Sequence, residues 1–490
     1  MFRVLALLLA VTLAGSSQQS SQPDPIDRVI GAWSGEAEHA GETSPVILEF
    51  IRSGERVLAV ASLPAIHAWR FPIAVVTMTG NRISGAGITL DFDPDAATLT
   101  TTIPSELVPK YRMPVVLRKR GEVVPPARPP IAAPSREPAW TRTLGAPSWA
   151  DVSVIGNLVV VGDDAGRLHA FGQDGKERWT FTAGGAIRAG AVAVEHDVVV
   201  QADDGVLYRI DTANGQARWR VTIAKPTPRV GIGDPASRYE NRASAVAVDG
   251  DRLFAGTHDG RIVALDARRG AEVWSFAAGD AVVAAPVVAR GKVYCGSFDG
   301  FVYALDRNSG ALAWKHDTGG AVTSDVAVTG DRVLSGSRSY DFEALDADTG
   351  RPIWTRYFWF SWVESSATVD GATAYIGSSD AAKVFAIDRS SGRVLWSADA
   401  GGSAWGHPAV RGDVVYEGVA GVTHYIAAHA GSVVAFDRAS GRPLWRYPFE
   451  AAPASSSTTS AAYGVAGSVA VGAKHLFAAS VDGRLLAFVR

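Results

Sequence analysis

The stretch 303–314, YALDRNSGALAW, decides the fold. It reads as an apolar strand end, an aspartate, a Ser-Gly turn and a second strand carrying a tryptophan. Gly310 supplies the positive φ that a tight hairpin needs, at no steric cost. Asp306 can accept backbone N–H groups of the turn. Trp314 offers a large ring for burial, with an indole N–H that seeks a carbonyl. Close copies run down the chain as HAFGQDGKERW (169–179), YRIDTANGQARW (208–219), VALDARRGAEVW (263–274), EALDADTGRPIW (343–354), FAIDRSSGRVLW (385–396) and VAFDRASGRPLW (434–445). Tryptophans about 40 residues apart mark one four-stranded propeller blade per period. Trp140 precedes the first copy and has no box of its own, whereas SVDGRLLAFVR (480–490) is followed by no tryptophan. The simplest solution lends the Trp140 strand to the last blade, which closes a ring of eight and leaves no open sheet edge. In the first copy Gly172 replaces the aspartate. A turn tolerates that change and a ligand box would not, so the box is architecture. Trp140, Trp179, Trp219, Trp274, Trp314, Trp354, Trp396 and Trp445 are assigned to docking between blades.

The rest of the chain divides by composition. Residues 28–120 alternate in short period-2 runs bounded by SGER, TGNR and DPDA, the pattern of hairpins in a small antiparallel β-barrel or sandwich. Residues 121–138, GEVVPPARPPIAAPSREP, hold six prolines in eighteen positions. Proline removes amide donors and favours polyproline II, so this segment reads as a semi-rigid linker. The propeller then occupies 139–490, and the fold class is all-β. Residues 1–16 carry Arg3, an apolar run from Val4 to Leu13 and small residues around Ala14, the shape of a secretory signal peptide. Ser16 stands where a lipoprotein signal would place cysteine. The chain is expected to be exported, periplasmic or secreted, without a lipid anchor or a transmembrane segment. A net charge of −3 gives no basic footprint for nucleic acid. Cys295 is the only cysteine, so no internal disulfide can form, and its strand KVYCGS places it in a core.

With GTHDGRIVALD (256–266) and GSFDGFVYALD (296–306) ahead of them, the boxes resemble the pyrroloquinoline-quinone-type repeats of eight-bladed propellers. The resemblance implies two functional classes. One is the quinoprotein dehydrogenases, which combine adjacent cysteines, a calcium ion held by acidic and amide side chains, and a catalytic aspartate. The other is non-enzymatic propellers such as the scaffold of the outer-membrane β-barrel assembly machine. A lone Cys295 cannot form the vicinal disulfide, and the haem signature CxxCH is absent. Asp325 and Glu364, near the starts of inner strands, read as solvated vestibule charges rather than calcium ligands. No GxSxG, HExxH or P-loop is present. His424 and His429 could share a metal only in a loop, because on a strand their spacing sends them to opposite faces.

The residues that the repeat does not explain are the ones to examine for function. Trp149, Trp359, Trp362 and Trp405 lie outside the boxes and outside the N-terminal module that holds Trp33 and Trp69. Trp149, Trp362 and Trp405 fall where one blade hands over to the next. With Arg188, Glu240, Arg242, Asp325, Glu364 and His407 they form a candidate rim for a protein, peptide or sugar. The enlarged connections 220–242 and 417–431 would decorate the same ring. The expected function is a non-catalytic binding or scaffold propeller, with cell-envelope protein assembly as its context. It carries no assigned catalytic, metal or cofactor residue. The alternatives are a quinone-dependent dehydrogenase of alcohols or sugars, with pyrroloquinoline quinone and calcium, and a carbohydrate-binding or glycan-processing propeller.

Overall fold

A computed structural model describes residues 24–85, 88–103, 112–126, 130–227, 242–423, 427, 429–451 and 462–490. The expected signal segment 1–16, Glu240 and His424 lie outside the described residues. The chain forms two compact units that divide between residues 129 and 130. Among the described residues no helix is long and apolar enough to cross a membrane.

The first unit is a closed, eight-stranded antiparallel barrel from Gly31–His39 to Met113–Arg120, each strand pairing with the next. It closes where Ala32 pairs with Arg120 and Ser34 with Arg118. Alternation fixes which side chains point inward. Trp33, Leu48, Phe50, Ile83, Leu90, Leu99, Val115 and Leu117 are buried, and the Trp33 indole donates to the Val29 carbonyl at 2.7 Å. The hairpin reading thus resolves to a barrel rather than a sandwich.

The second unit is the eight-bladed propeller. Seven blades are built from consecutive strands, and the eighth joins three strands from 470–489 to the strand Trp140–Thr143. Leu485 pairs with Arg142 and Ala487 with Trp140, which closes the ring as the sequence predicts. The innermost strands begin at Ser153, Val192, Ala247, Val287, Ala327, Thr368, Ala409 and Ala470. Each touches its neighbour, and that of blade 8 returns to that of blade 1.

What locks one blade to the next is visible at the box turns. Gly310, at φ +71°, lies so close under Trp274 of the preceding blade that a Cβ there would be 2.6 Å from the ring. Gly175, Gly215, Gly270, Gly350, Gly392 and Gly441 sit under Trp140, Trp179, Trp219, Trp314, Trp354 and Trp396 in the same way. The glycine therefore does two jobs, a left-handed turn and a flat seat for an indole. Five of these rings also donate their N–H to a carbonyl just past the next box aspartate: Thr212, Arg307, Ala347, Arg389 and Arg438, at 2.7–3.1 Å. The indole nitrogens of Trp140 and Trp219 are buried without such a partner. Burial of each ring is worth about 2–3 kcal/mol. The box aspartate plays its turn role: Asp306 Oδ1 accepts from the Asn308 and Ser309 amides at 3.1 and 2.8 Å. Cys295 is fully buried in the core between blades 3 and 4.

One sequence reading needs correction, and one residue was not foreseen. The proline-rich linker is not a free extended spacer along its whole length, because residues 134–136 hydrogen-bond to Arg446 of blade 7. Composition counts lost donors, but proline keeps its carbonyl, and the Pro134 oxygen is the acceptor used. The unforeseen residue is a buried acid that the repeat gave no reason to notice. Glu417 lies in Val414–Val422 between Val415 and Val419, on the face packed against blade 6. Both of its carboxyl oxygens are buried without a hydrogen-bond partner, and desolvation pushes the carboxyl well above its ordinary range.

Two expectations follow from these contacts. Gly310→Ala should destabilise the protein by about 2–4 kcal/mol, through a positive φ plus a clash with Trp274. Gly412→Ala, also at positive φ but with open space around its Cβ, should cost only about 1 kcal/mol in the same urea unfolding experiment. For Glu417, the folded pKa stands above the unfolded one, so its contribution is complete at low pH and is lost as pH rises. Stability should fall above the ordinary carboxyl pKa with a slope of up to about 1.4 kcal/mol per pH unit. Glu417→Gln should flatten that slope in unfolding curves taken between pH 5 and pH 8.

Candidate functional site

The eight crossover loops converge on the propeller axis, and their residues fall into two registers. Two positions ahead of each innermost strand stand Asp151, Gly190, Ala245, Ala285, Asp325, Ser366, His407 and Ser468. Four positions ahead stand Trp149, Arg188, Ala243, Val283, Thr323, Glu364, Trp405 and Ala466. Six of the nine rim residues expected from sequence therefore occupy equivalent sites: Asp325 and His407 in the first register, and Trp149, Arg188, Glu364 and Trp405 in the second. Trp362 is two positions further out, on a longer crossover.

In the first register, polar side chains link blades 4 to 6 and blades 7, 8 and 1 in two hydrogen-bonded arcs. Asp325 Oδ1 accepts the Ala285 amide at 2.5 Å, and Ser366 Oγ accepts the Asp325 amide at 2.8 Å. Ser468 Oγ accepts the His407 amide at 2.8 Å, and Asp151 Oδ1 accepts the Ser468 amide at 2.6 Å. Each side chain thus satisfies the backbone of the preceding blade, where converging strands leave amides in need of partners. His407 breaks the pattern. Its Nε2 reaches over blade 6 to Asp325 Oδ2 at 3.0 Å. Burial alone would lower the imidazole pKa, but the hydrogen bond and charge of Asp325, with Asp151 behind it, outweigh burial and raise it. Asp151, Ser366 and Ser468 were not singled out in the sequence, although the repeat register marks all three.

The second cluster is built around Glu364, which is buried rather than solvated. Arg338 reaches it at 2.7 Å and Thr323 Oγ1 at 3.4 Å. Desolvation works to raise this carboxyl, but the charges of Arg338 and Arg242 prevail and hold it below its ordinary value. The Arg338 guanidinium lies 4.5 Å from the Trp362 ring centroid and 5.2 Å from that of Phe298. The adjacent turn is strained, with Tyr340 at φ +71° where blades 1 to 4 have glycine. Such a residue costs on the order of 1–3 kcal/mol. The Trp362 amide donates to Asp380 Oδ2 at 3.1 Å, and the Trp405 indole to Ser379 Oγ at 3.1 Å. Arg242 reaches the Trp405 carbonyl at 3.5 Å. On the far side Arg188 pairs with Asp164 at 2.7 Å. Trp359 stands apart, edge-on to Tyr357. His429 is buried with Nδ1 at 2.9 Å from Ser403 Oγ, pinning the blade 7 insertion. Among the described residues no three His, Cys, Asp or Glu side chains are grouped to hold a metal ion.

The axis therefore presents half-buried tryptophans over charges of which Asp325, Glu364 and Arg188 are paired, while Asp151 accepts a backbone amide. Such a surface offers stacking and hydrogen bonding to a partner. The raised His407 pKa means that its contribution to stability is complete below the ordinary imidazole value and is lost as pH climbs through the raised one. Asp325→Asn keeps an acceptor for the Ala285 amide but removes the charge. An NMR titration of His407 should then show a lower pKa than in the wild type.

Comparison with known proteins agrees with this architecture. A family model described as outer membrane protein assembly factor BamB matches residues 130–239, 231–302 and 298–490. Among curated proteins, BamB of Shewanella oneidensis is 25% identical over 186 residues, covering 29% of this chain and 46% of that protein. The quinohemoprotein alcohol dehydrogenase ADH IIB of Pseudomonas putida is 35% identical over 105 residues, covering 18% of this chain and 14% of that one. The matches thus span less than half the length of either relative. Among solved structures, BamB from Moraxella catarrhalis aligns with a TM-score of 0.54 and 21% identity, over 72% of this chain and 97% of that one. Quinohemoprotein alcohol dehydrogenase from Comamonas testosteroni aligns with a TM-score of 0.53 and 14% identity, over 72% and 76%. These two likenesses concern the fold alone. With its whole propeller matched by the family model, the chain belongs to the BamB-type family of propellers built from pyrroloquinoline-quinone-like repeats.

Proposed function

We propose that this chain is an exported, non-catalytic scaffold that takes part in outer-membrane protein assembly, docking a protein partner on the crossover face of its propeller. The observation that carries this reading is the self-pairing of the axial charges. Asp325 is spent on His407 and Glu364 on Arg338, while Trp149, Trp362 and Trp405 keep part of their surface toward solvent. Half-buried aromatics ringed by satisfied polar groups are the make-up of a protein-binding patch. The membership in the BamB-type family and the signal-like segment 1–16 support the envelope context.

The residues present do not fit a quinone with calcium. Cys295 has no cysteine beside it and points its sulfur at the Ala284 carbonyl inside a blade core, 3.5 Å away. Asp325 and Glu364, the two carboxylates considered for calcium, are already paired with His407 and Arg338, which competes with calcium coordination. Crosslinking and affinity purification of the tagged chain from envelope membranes should recover outer-membrane assembly proteins. A Trp149→Ala, Trp405→Ala double variant should lose at least about tenfold of that recovery while its melting temperature shifts by only a few degrees. Saturable binding of pyrroloquinoline quinone with calcium in a titration calorimeter, accompanied by dye reduction with alcohols, would overturn the proposal.

A further inference from the structure

Seven docking tryptophans lie on the turn glycine of the following blade; Trp445 does not. Blade 8 is assembled from two separate stretches, so no box turn links its third strand, Arg484–Val489, to its outermost strand, Trp140–Thr143. In place of a glycine seat, the Arg136 guanidinium lies over the Trp445 ring, 5.1 Å from its centroid. The segment carrying Arg136 crosses the whole seam. Ile131 packs at Gly401 of the crossover into blade 7. The Arg446 amide donates to the Pro134 carbonyl at 3.0 Å, and the Arg136 amide to the Arg446 carbonyl at 3.0 Å. The Arg136 guanidinium donates to the Val489 carbonyl at 2.8 Å, and the Ala139 amide to the Ala487 carbonyl at 2.7 Å.

We propose that residues 131–139 form a strap that replaces the missing box turn and latches blade 7 to blade 8. Arg136 is its key: its side chain covers the orphaned indole and ties blade 8, while its backbone pairs with blade 7. The strap also covers an N–H and a C=O on the outer strand of blade 7, a place where an open edge would invite pairing with another chain. On this reading the folding unit of the propeller begins at residue 131, ahead of the closing strand. The inference is independent of the scaffold function and stands or falls by itself.

Hydrogen exchange on the full chain tests it, because the Arg446 amide has Pro134 as its acceptor. In Arg136→Ala and Arg136→Pro that amide should exchange at least about tenfold faster, and the melting temperature should fall. The amide of Ser397, its counterpart in blade 6, should keep its rate. Arg136→Lys, which retains a cation over the ring but loses the guanidinium's planar fork, should show a smaller increase, and it serves if the proline variant fails to fold. Unchanged Arg446 protection and melting temperature in Arg136→Ala and Arg136→Lys would overturn the strap.

Discussion

The docking of each tryptophan on the turn of the next blade is the constraint from which the propeller follows. An indole that must lie flat on a backbone needs a glycine there. The same glycine must hold a left-handed turn, and at five of the seven seats the carbonyl three residues before it faces the indole nitrogen. One contact therefore fixes the spacing, the tilt and the handover between blades. Repeating it around the circle gives each of seven rings its own seat. The one place where two stretches of chain meet cannot supply a seat, and there an arginine from outside the repeat covers the ring.

A second constraint acts at the centre. Eight innermost strands converge, and at four of the junctions the crossover amides of Ala285, Asp325, His407 and Ser468 need a partner there. Aspartate and serine side chains two residues ahead of the strands meet this need by accepting from the neighbouring blade. Most of the polar character at the axis is therefore structural in origin. What departs from it, the reach of His407 to Asp325 and the burial of Glu364 under Arg338, is concentrated in blades 5 to 7. That same sector holds the strained Tyr340 and the turn residues Ser379 and Asp380 that receive Trp405 and Trp362. An asymmetric sector gives the ring a direction that its symmetry alone does not.

The fold was legible because its key contact is written in two residue types at fixed spacing. Gly310 and Trp314 need no tertiary information to be recognised, and closure through Trp140 follows from counting. The site was legible only in part. Trp149, Arg188, Glu364 and Trp405 stood out because they are large or charged. Asp151, Ser366 and Ser468 are ordinary loop residues until the loops are superposed in register, and only then does their shared role emerge. Glu364 was read as solvated because sequence carries no sign of Arg338 folding over it. Glu417 was missed because a single glutamate among valines looks like a surface position on an alternating strand, whereas both faces of a blade are buried. The strap was misread because proline content describes what a segment cannot donate, and this one is held partly by what it accepts.

Closure through Trp140–Thr143 also sets an order of events. The strand that completes the ring is made first, and the strand it pairs with is the last in the propeller; the strap contact between Arg136 and Val489 spans 353 positions. Contacts of such separation form late, after the intervening chain has collapsed into blades held by local hairpins. Until then blade 8 has three strands and one open edge, so the nascent protein passes through a stage vulnerable to association with its neighbours. A slower ring closure lengthens that stage.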